Sequence, residues 1–155
     1  MARFAKLLAE NDFASGVTSY EDHFPGDEGD RQRLVIYVKV GEMLTPCIVD
    51  TGAAWCVFNP SLAQPLLEAE RADYLRSITY EIRGTRYEGA LVRLDLAFQD
   101  EISGNLMVID ATVFVPELRH DEDWREPNFI GLKGCLERIR FAIDPAESAF
   151  YFGRA

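Results

Sequence analysis

From residue 34 the chain reads Leu34-Val35-Ile36-Tyr37-Val38-Lys39-Val40, pauses at Gly41-Glu42, and resumes as the apolar Cys47-Ile48-Val49. Branched and aromatic side chains suit a pleated, half-buried surface, so this pattern predicts a hairpin that enters a core. Asn59-Pro60-Ser61 then supplies a helix start, with Leu62, Leu66, Leu67 and Tyr74 as an irregular apolar stripe. Strands return at 78–82, at 90–98, where Leu94, Leu96 and Phe98 alternate with other residues, and at 106–115. Turn-forming residues separate them at 84–89 and 99–104. The acidic stretch 116–127 contains Trp124, and Asn128-Phe129-Ile130-Gly131 follows as a brief strand. A helical turn over 133–138 leads to a last hairpin, 139–143 with 149–152, joined through Asp144-Pro145. Ahead of residue 34, Phe4, Leu7 and Leu8 mark one face of a short helix that gives way to polar, acidic chain. The reading is mainly β with one or two short helices, divided into an N-terminal extension, 1–33, and a domain, 34–155.

Composition narrows the class. A chain of 155 residues, 48% hydrophobic and 27% charged, predicts a single globular domain with its own core. The excess of 26 acids over 16 bases, a net charge of −10, repels phosphate backbones and anionic lipid, so neither nucleic acid nor membrane is expected as a partner. No apolar run approaches the roughly 20 residues needed to cross a bilayer, and residues 1–10 lack the apolar centre of a signal peptide. A cytoplasmic protein is expected. Cys47, Cys56 and Cys135 cannot all pair within one chain and form no Cys-x-x-Cys unit, which predicts buried thiols in a reducing compartment.

Much familiar chemistry is absent. His23 and His120 both sit in acidic, turn-rich stretches, which disfavours a serine or cysteine hydrolase built on histidine. The glycine-rich cradles of nucleotide enzymes are missing. The acidic runs 27–30 and 121–123 lack the spacing of a calcium loop, so no metal and no cofactor is expected. Trp55, Phe58 and Trp124 read as core side chains in preference to pocket walls.

The most informative string is Ile48-Val49-Asp50-Thr51-Gly52-Ala53, which sets a carboxylate at the end of an apolar strand, where burial is costly unless something compensates. A side-chain-supported turn at Asp50-Thr51 with Gly52 would be one reason. The string matches at five positions, Val49 to Ala53, the apolar-Asp-[Ser/Thr]-Gly-[Ala/Ser] signature, and Phe129-Ile130-Gly131 matches an apolar-apolar-Gly element placed before a short helix. On these two motifs the chain resembles the retropepsin-like aspartic proteases, including their bacterial members, over roughly 34–153.

The resemblance implies a closed antiparallel β barrel with a hairpin flap over a cleft. The hairpin 78–98, tipped near 84–89, is the candidate flap. Asp50, Thr51 and Gly52 would be the catalytic residues, with Thr51 bonding across a two-fold axis. Ala53, Phe129, Ile130 and Gly131, and Gly84, Thr85 and Arg86 of the flap, would contact substrate. Retroviral members carry an acid and an arginine where this chain has Ala54 and Leu132, so an ion pair is lost from both sides together.

This chemistry needs two carboxylates close enough to share one proton, one activating water as general base and its partner donating to the scissile carbonyl. A second Asp-[Ser/Thr]-Gly is absent: Asp95-Leu96, Asp110-Ala111 and Asp144-Pro145 all fail. The partner carboxylate would then be Asp50 of a second copy, which predicts a homodimer acting on a peptide or protein. The expected function is an aspartic endopeptidase. The alternative is a catalytically silent retropepsin-like module that binds peptide or scaffolds a partner.

Overall fold

β2 (Val35–Val40) and β3 (Met43–Val49) form the hairpin that the branched run predicts, pairing Val35 with Ile48 and Val40 with Met43 across the turn at Gly41. The computed structural model describes residues 2–27, 29 and 32–155. After β3 come β4 (Cys56–Val57), α2 (Pro60–Glu68), β5 (Ala72–Ile82), β6 (Thr85–Gln99), β7 (Leu106–Pro116) and β8 (Phe129–Ile130). A 3₁₀ turn at Leu136–Arg138 leads into β9 (Ile139–Asp144) and β10 (Ala149–Arg154). Ahead of β2 lie α1 (Ala2–Glu10) and β1 (Gly16–Ser19).

The large sheet runs β2-β3-β8-β4-β7-β6-β5, and Lys39 and Val40 of β2 pair with Ala97 and Leu96 of β6. That pairing closes β2, β3, β8, β4, β7 and β6 into a barrel, with β5 outside it on the edge of β6. The pairs β3–β8 and β4–β7 are parallel and the remainder antiparallel. Side chains alternate across the strands, so Ile36, Val38, Leu94, Leu96 and Val113 meet in one interior with Phe98 and Phe150. A second cluster of Val35, Ile48, Val57, Ile82, Phe114 and Phe129 fills the space between the flap hairpin and the two motif strands.

α2 starts where the sequence indicates. Asn59 Oδ1 accepts a hydrogen bond from Ser61 N at 3.0 Å, Pro60 occupies the first turn, and Ala63 and Leu66 are buried. The helix ends at Glu68, and Tyr74 belongs instead to β5. β5 begins at Ala72, six residues before the apolar run at 78. Its first half is mostly exposed and shows no alternation, because its pairing with β6 alone defines it. β1 and β4 carry no pattern long enough to read for the same reason.

β1 pairs with β10 in a three-stranded sheet, β1-β10-β9. Asp100 Oδ1 accepts from Val17 N at 3.0 Å and Glu101 Oε1 from Ser19 N at 2.7 Å, tying the strand to the β6–β7 turn. Phe4 and Leu8 of α1 pack on this sheet, with the Phe4 ring edge-on to Tyr151 at 5.3 Å. Leu7, grouped with them in the apolar pattern, points to solvent. Among the described residues no helix is long and apolar enough to cross a membrane.

Candidate active site

Asp50 is the first residue past β3. Parallel pairing sets Val49 beside Ile130, and Asp50 N continues the ladder by donating to Ile130 O at 2.9 Å. The chain then turns: Gly52 N donates to Asp50 Oδ1 at 2.9 Å and Ala53 N to Asp50 O at 3.2 Å. The turn chemistry expected of Asp50 is therefore present, and it occupies Oδ1 alone. Oδ2 accepts no hydrogen bond among the described residues. Asp50 is half-buried, while Thr51 and Gly52 are exposed.

The second motif clamps this loop. Leu132 N donates to Ala53 O and Lys133 N to Ala54 O, both at 2.8 Å. Gly131 is required for that approach, since a β-carbon there would lie 2.3 Å from Trp55 O and 2.9 Å from Ala53 O. Lys133 Nζ stands 5.9 Å from the centre of the Trp55 ring. Asn128 anchors the other side, its Oδ1 accepting from Asn59 N at 3.0 Å and its Nδ2 donating to Pro46 O at 3.3 Å. Where an ion pair would span the two motifs, the chain has Ala54 and Leu132, and the motifs are joined by the backbone bonds of Leu132 to Ala53 and of Lys133 to Ala54.

The β5–β6 hairpin lies over the loop. Its tip is the two-residue turn Arg83-Gly84, both with positive φ, 51° and 81°. That is the geometry whose twist matches the flanking strands. The tip therefore does not extend through residues 85–89, which belong to β6. Tyr80 Oη accepts hydrogen bonds from Ala54 N at 3.1 Å and Trp55 N at 3.3 Å, and its ring meets Phe114 edge-on at 5.3 Å.

Between hairpin and loop is a cavity of about 330 Å³. Asp50, Gly52, Ala53 and Phe129 line it from the two motifs. Ile130 is fully buried beneath it. Gly84, Thr85 and Arg86 do not reach it, and Thr85 and Arg86 border a separate groove beside Tyr87 and Trp124. The flap instead contributes Tyr80, Ile82 and Arg83, and Arg33 enters from the chain ahead of β2. Two-residue periodicity back from a tip at Gly84 would have selected Tyr80 and Ile82. Arg33 and Arg83 lie in stretches with no readable pattern.

Among the described residues no group of His, Cys, Asp and Glu is placed to hold a metal. The acidic run 27–30 falls partly outside the described residues. Cys47, Cys56 and Cys135 are free and buried. Burial pushes the Cys47 thiol up, and a hydrogen bond between Cys135 and Cys56 raises the first and lowers the second.

A retropepsin-like aspartic protease from Rickettsia conorii has a similar structure, with a TM-score of 0.53 and 20% identity, covering 88% of this chain and 89% of that one. The chain has the retropepsin-like fold. A retroviral protease-like domain of Ddi1 from Leishmania major also matches, with a TM-score of 0.48 and 16% identity over 79% of this chain and 94% of that one. No protein-family model and no curated protein matches the sequence. Within the retropepsin-like barrel the two motifs lie side by side as β3 and β8, and the Asp50 loop opens under the flap hairpin.

Proposed function

We propose that this protein is an aspartic endopeptidase whose active site forms between two copies of the chain, each supplying Asp50. The observation that carries the reading is the Asp50 loop: one carboxylate oxygen is fixed by Gly52 N and the other is left unbonded toward a cavity roofed by the flap. A carboxylate held in this way can activate water, but it needs a second acid to protonate the scissile carbonyl oxygen. The sequence offers a single Asp-Thr-Gly, so a two-fold dimer supplies the second acid. Thr51, exposed and with no hydrogen bond among the described residues, is then available to bond across the axis.

In this reading the pair of Asp50 carboxylates shares one proton. The ionised member takes a proton from water as that water attacks the peptide carbonyl, and the protonated member donates to the carbonyl oxygen. Collapse of the tetrahedral intermediate returns a proton to the departing amine. Ala53 and Phe129 shape the floor of the cleft, Gly131 holds the Asp50 loop from behind, and the flap closes over it. A cytoplasmic setting keeps the three buried cysteines as thiols.

Cleavage of a peptide library between about pH 4 and 7, by the wild type and by Asp50→Asn, tests the reading. Cleavage by the wild type that is lost in the variant is expected, as is activity that rises faster than protein concentration in the range where dimers assemble. Equal cleavage by both proteins rejects Asp50. Peptide binding by both proteins with cleavage by neither favours the silent binding module.

A further inference from the structure

We propose that the cleft beside Asp50 selects peptides bearing a carboxylate side chain, read by Arg33 and Arg83. The inference rests on the cavity being the peptide cleft of the endopeptidase described above.

In a chain of net charge −10, two arginines line this cavity. Arg33 Nε is buried and makes no hydrogen bond, and among the described residues its guanidinium has no ion-pair partner. Buried N–H donors without acceptors are costly, and that cost is relieved when a ligand brings the acceptor. Arg83 is held in place by an aromatic ring and by an ion pair at one nitrogen. Its guanidinium carbon lies 5.4 Å from the Phe129 ring centre, and Nη1 is 3.1 Å from Glu126 Oε2. That contact is an ion pair without hydrogen-bond alignment, since Glu126 Oε2 is buried and accepts no hydrogen bond.

The acids that share the cavity do not engage either arginine. Asp50 Oδ1 is bonded to Gly52 N, and no ion pair joins Asp50 to Arg33 or Arg83 among the described residues. Glu81 is exposed and stands directly across the hairpin from Arg86. A planar guanidinium fork matches a carboxylate through two parallel hydrogen bonds, a match that a side-chain amide cannot equal. The arginines therefore favour aspartate or glutamate in the peptide over asparagine or glutamine.

The test uses Asp50→Asn protein, which reports binding apart from catalysis, and matched fluorescent peptides that differ by Glu against Gln. Glu peptides are expected to bind about tenfold more tightly. That preference should shrink toward parity in Arg33→Gln with Arg83→Gln and persist in part with Arg→Lys at both positions. If the glutamine variant fails to fold by circular dichroism, the same Asp50→Asn protein decides by pH and salt. The preference should vanish below about pH 4, where the peptide carboxylate is protonated, and fall with added NaCl. Equal binding of Glu and Gln peptides, or a preference untouched by the double substitution, by pH and by salt, overturns the proposal. A wild type that cleaves nothing while Asp50→Asn retains acid-selective binding defeats the endopeptidase reading and leaves this selection standing.

Discussion

Gly131 and Trp55 approach so closely that a β-carbon on the glycine would stand 2.3 Å from the Trp55 carbonyl oxygen. This contact is where the second motif grips the loop that carries Asp50. Neither partner in the clash is a flexible side chain, so the backbone itself would have to move.

Gly131→Ala is accordingly expected to destabilise the protein by about 2–3 kcal/mol, as overpacking against rigid neighbours does. A lower urea midpoint at unchanged m-value would show it. A midpoint equal to wild type would mean that the loop yields freely and that the clamp is not structural.

Tyr80 Oη serves as acceptor for the amides of both Ala54 and Trp55, joining the β5–β6 hairpin to the Asp50 loop. Tyr80→Phe keeps the ring on Phe114 and removes the acceptor, leaving two amides without a partner. The expected loss is about 1–2 kcal/mol, with faster hydrogen exchange at the Ala54 and Trp55 amides. Exchange unchanged at both sites would place the flap free of the loop in solution.

Asn128 bridges two segments from a buried position, accepting from Asn59 N and donating to Pro46 O. Asn128→Ala strands both backbone groups. A loss of about 2–3 kcal/mol is expected in chemical unfolding, and a loss below about 0.5 kcal/mol would contradict the bridge.

β1 is held through carboxylates, which makes its attachment sensitive to acid. Burial pushes Asp100 up, but hydrogen bonds from the Ser103 hydroxyl and the Val17 and Ser103 amides outweigh it, leaving the group below its ordinary value. Glu101 is likewise raised by burial, then brought below its ordinary value by the Ser19 amide and the Ser19 and Thr18 hydroxyls. A carboxyl depressed in the folded state stabilises above its unfolded pKa, and that stabilisation is lost as pH falls through the folded pKa. Stability should therefore decline below about pH 4. The decline should be shallower in Asp100→Asn with Glu101→Gln, measured as urea midpoints at about pH 6, 4 and 3. Equal pH dependence in wild type and variant would remove these two acids from the account.

The candidate site was legible in the sequence to the extent that its chemistry is local. Asp50, Thr51 and Gly52 form a turn whose hydrogen bonds span two or three residues, and the apolar strand before it declares itself through β-branched side chains. Phe129-Ile130-Gly131 was legible as a strand end, although its parallel pairing with β3 was not. The mainly β class and the β2–β3 and β9–β10 hairpins were legible too, since each is an apolar run joined to its neighbour by a short turn.

Other features exist only through distant partners. β4 is two residues long and is a strand because β7 and β8 lie on either side of it. The first half of β5 is mostly exposed and carries no alternation, and only β6 makes it a strand. Closure of the barrel depends on two residue pairs between β2 and β6. Arg33, Tyr80 and Arg83 reach the Asp50 cavity because the hairpin folds over the loop, and no local pattern marks that fold. The sequence by itself determined the turn that holds the carboxylate and the alternation that buries one face of each long strand, because both are set by neighbours along the chain. Tertiary structure alone decided which strands close the barrel and which cations share a cavity with Asp50, because backbone pairing and cavity lining are set by neighbours in space.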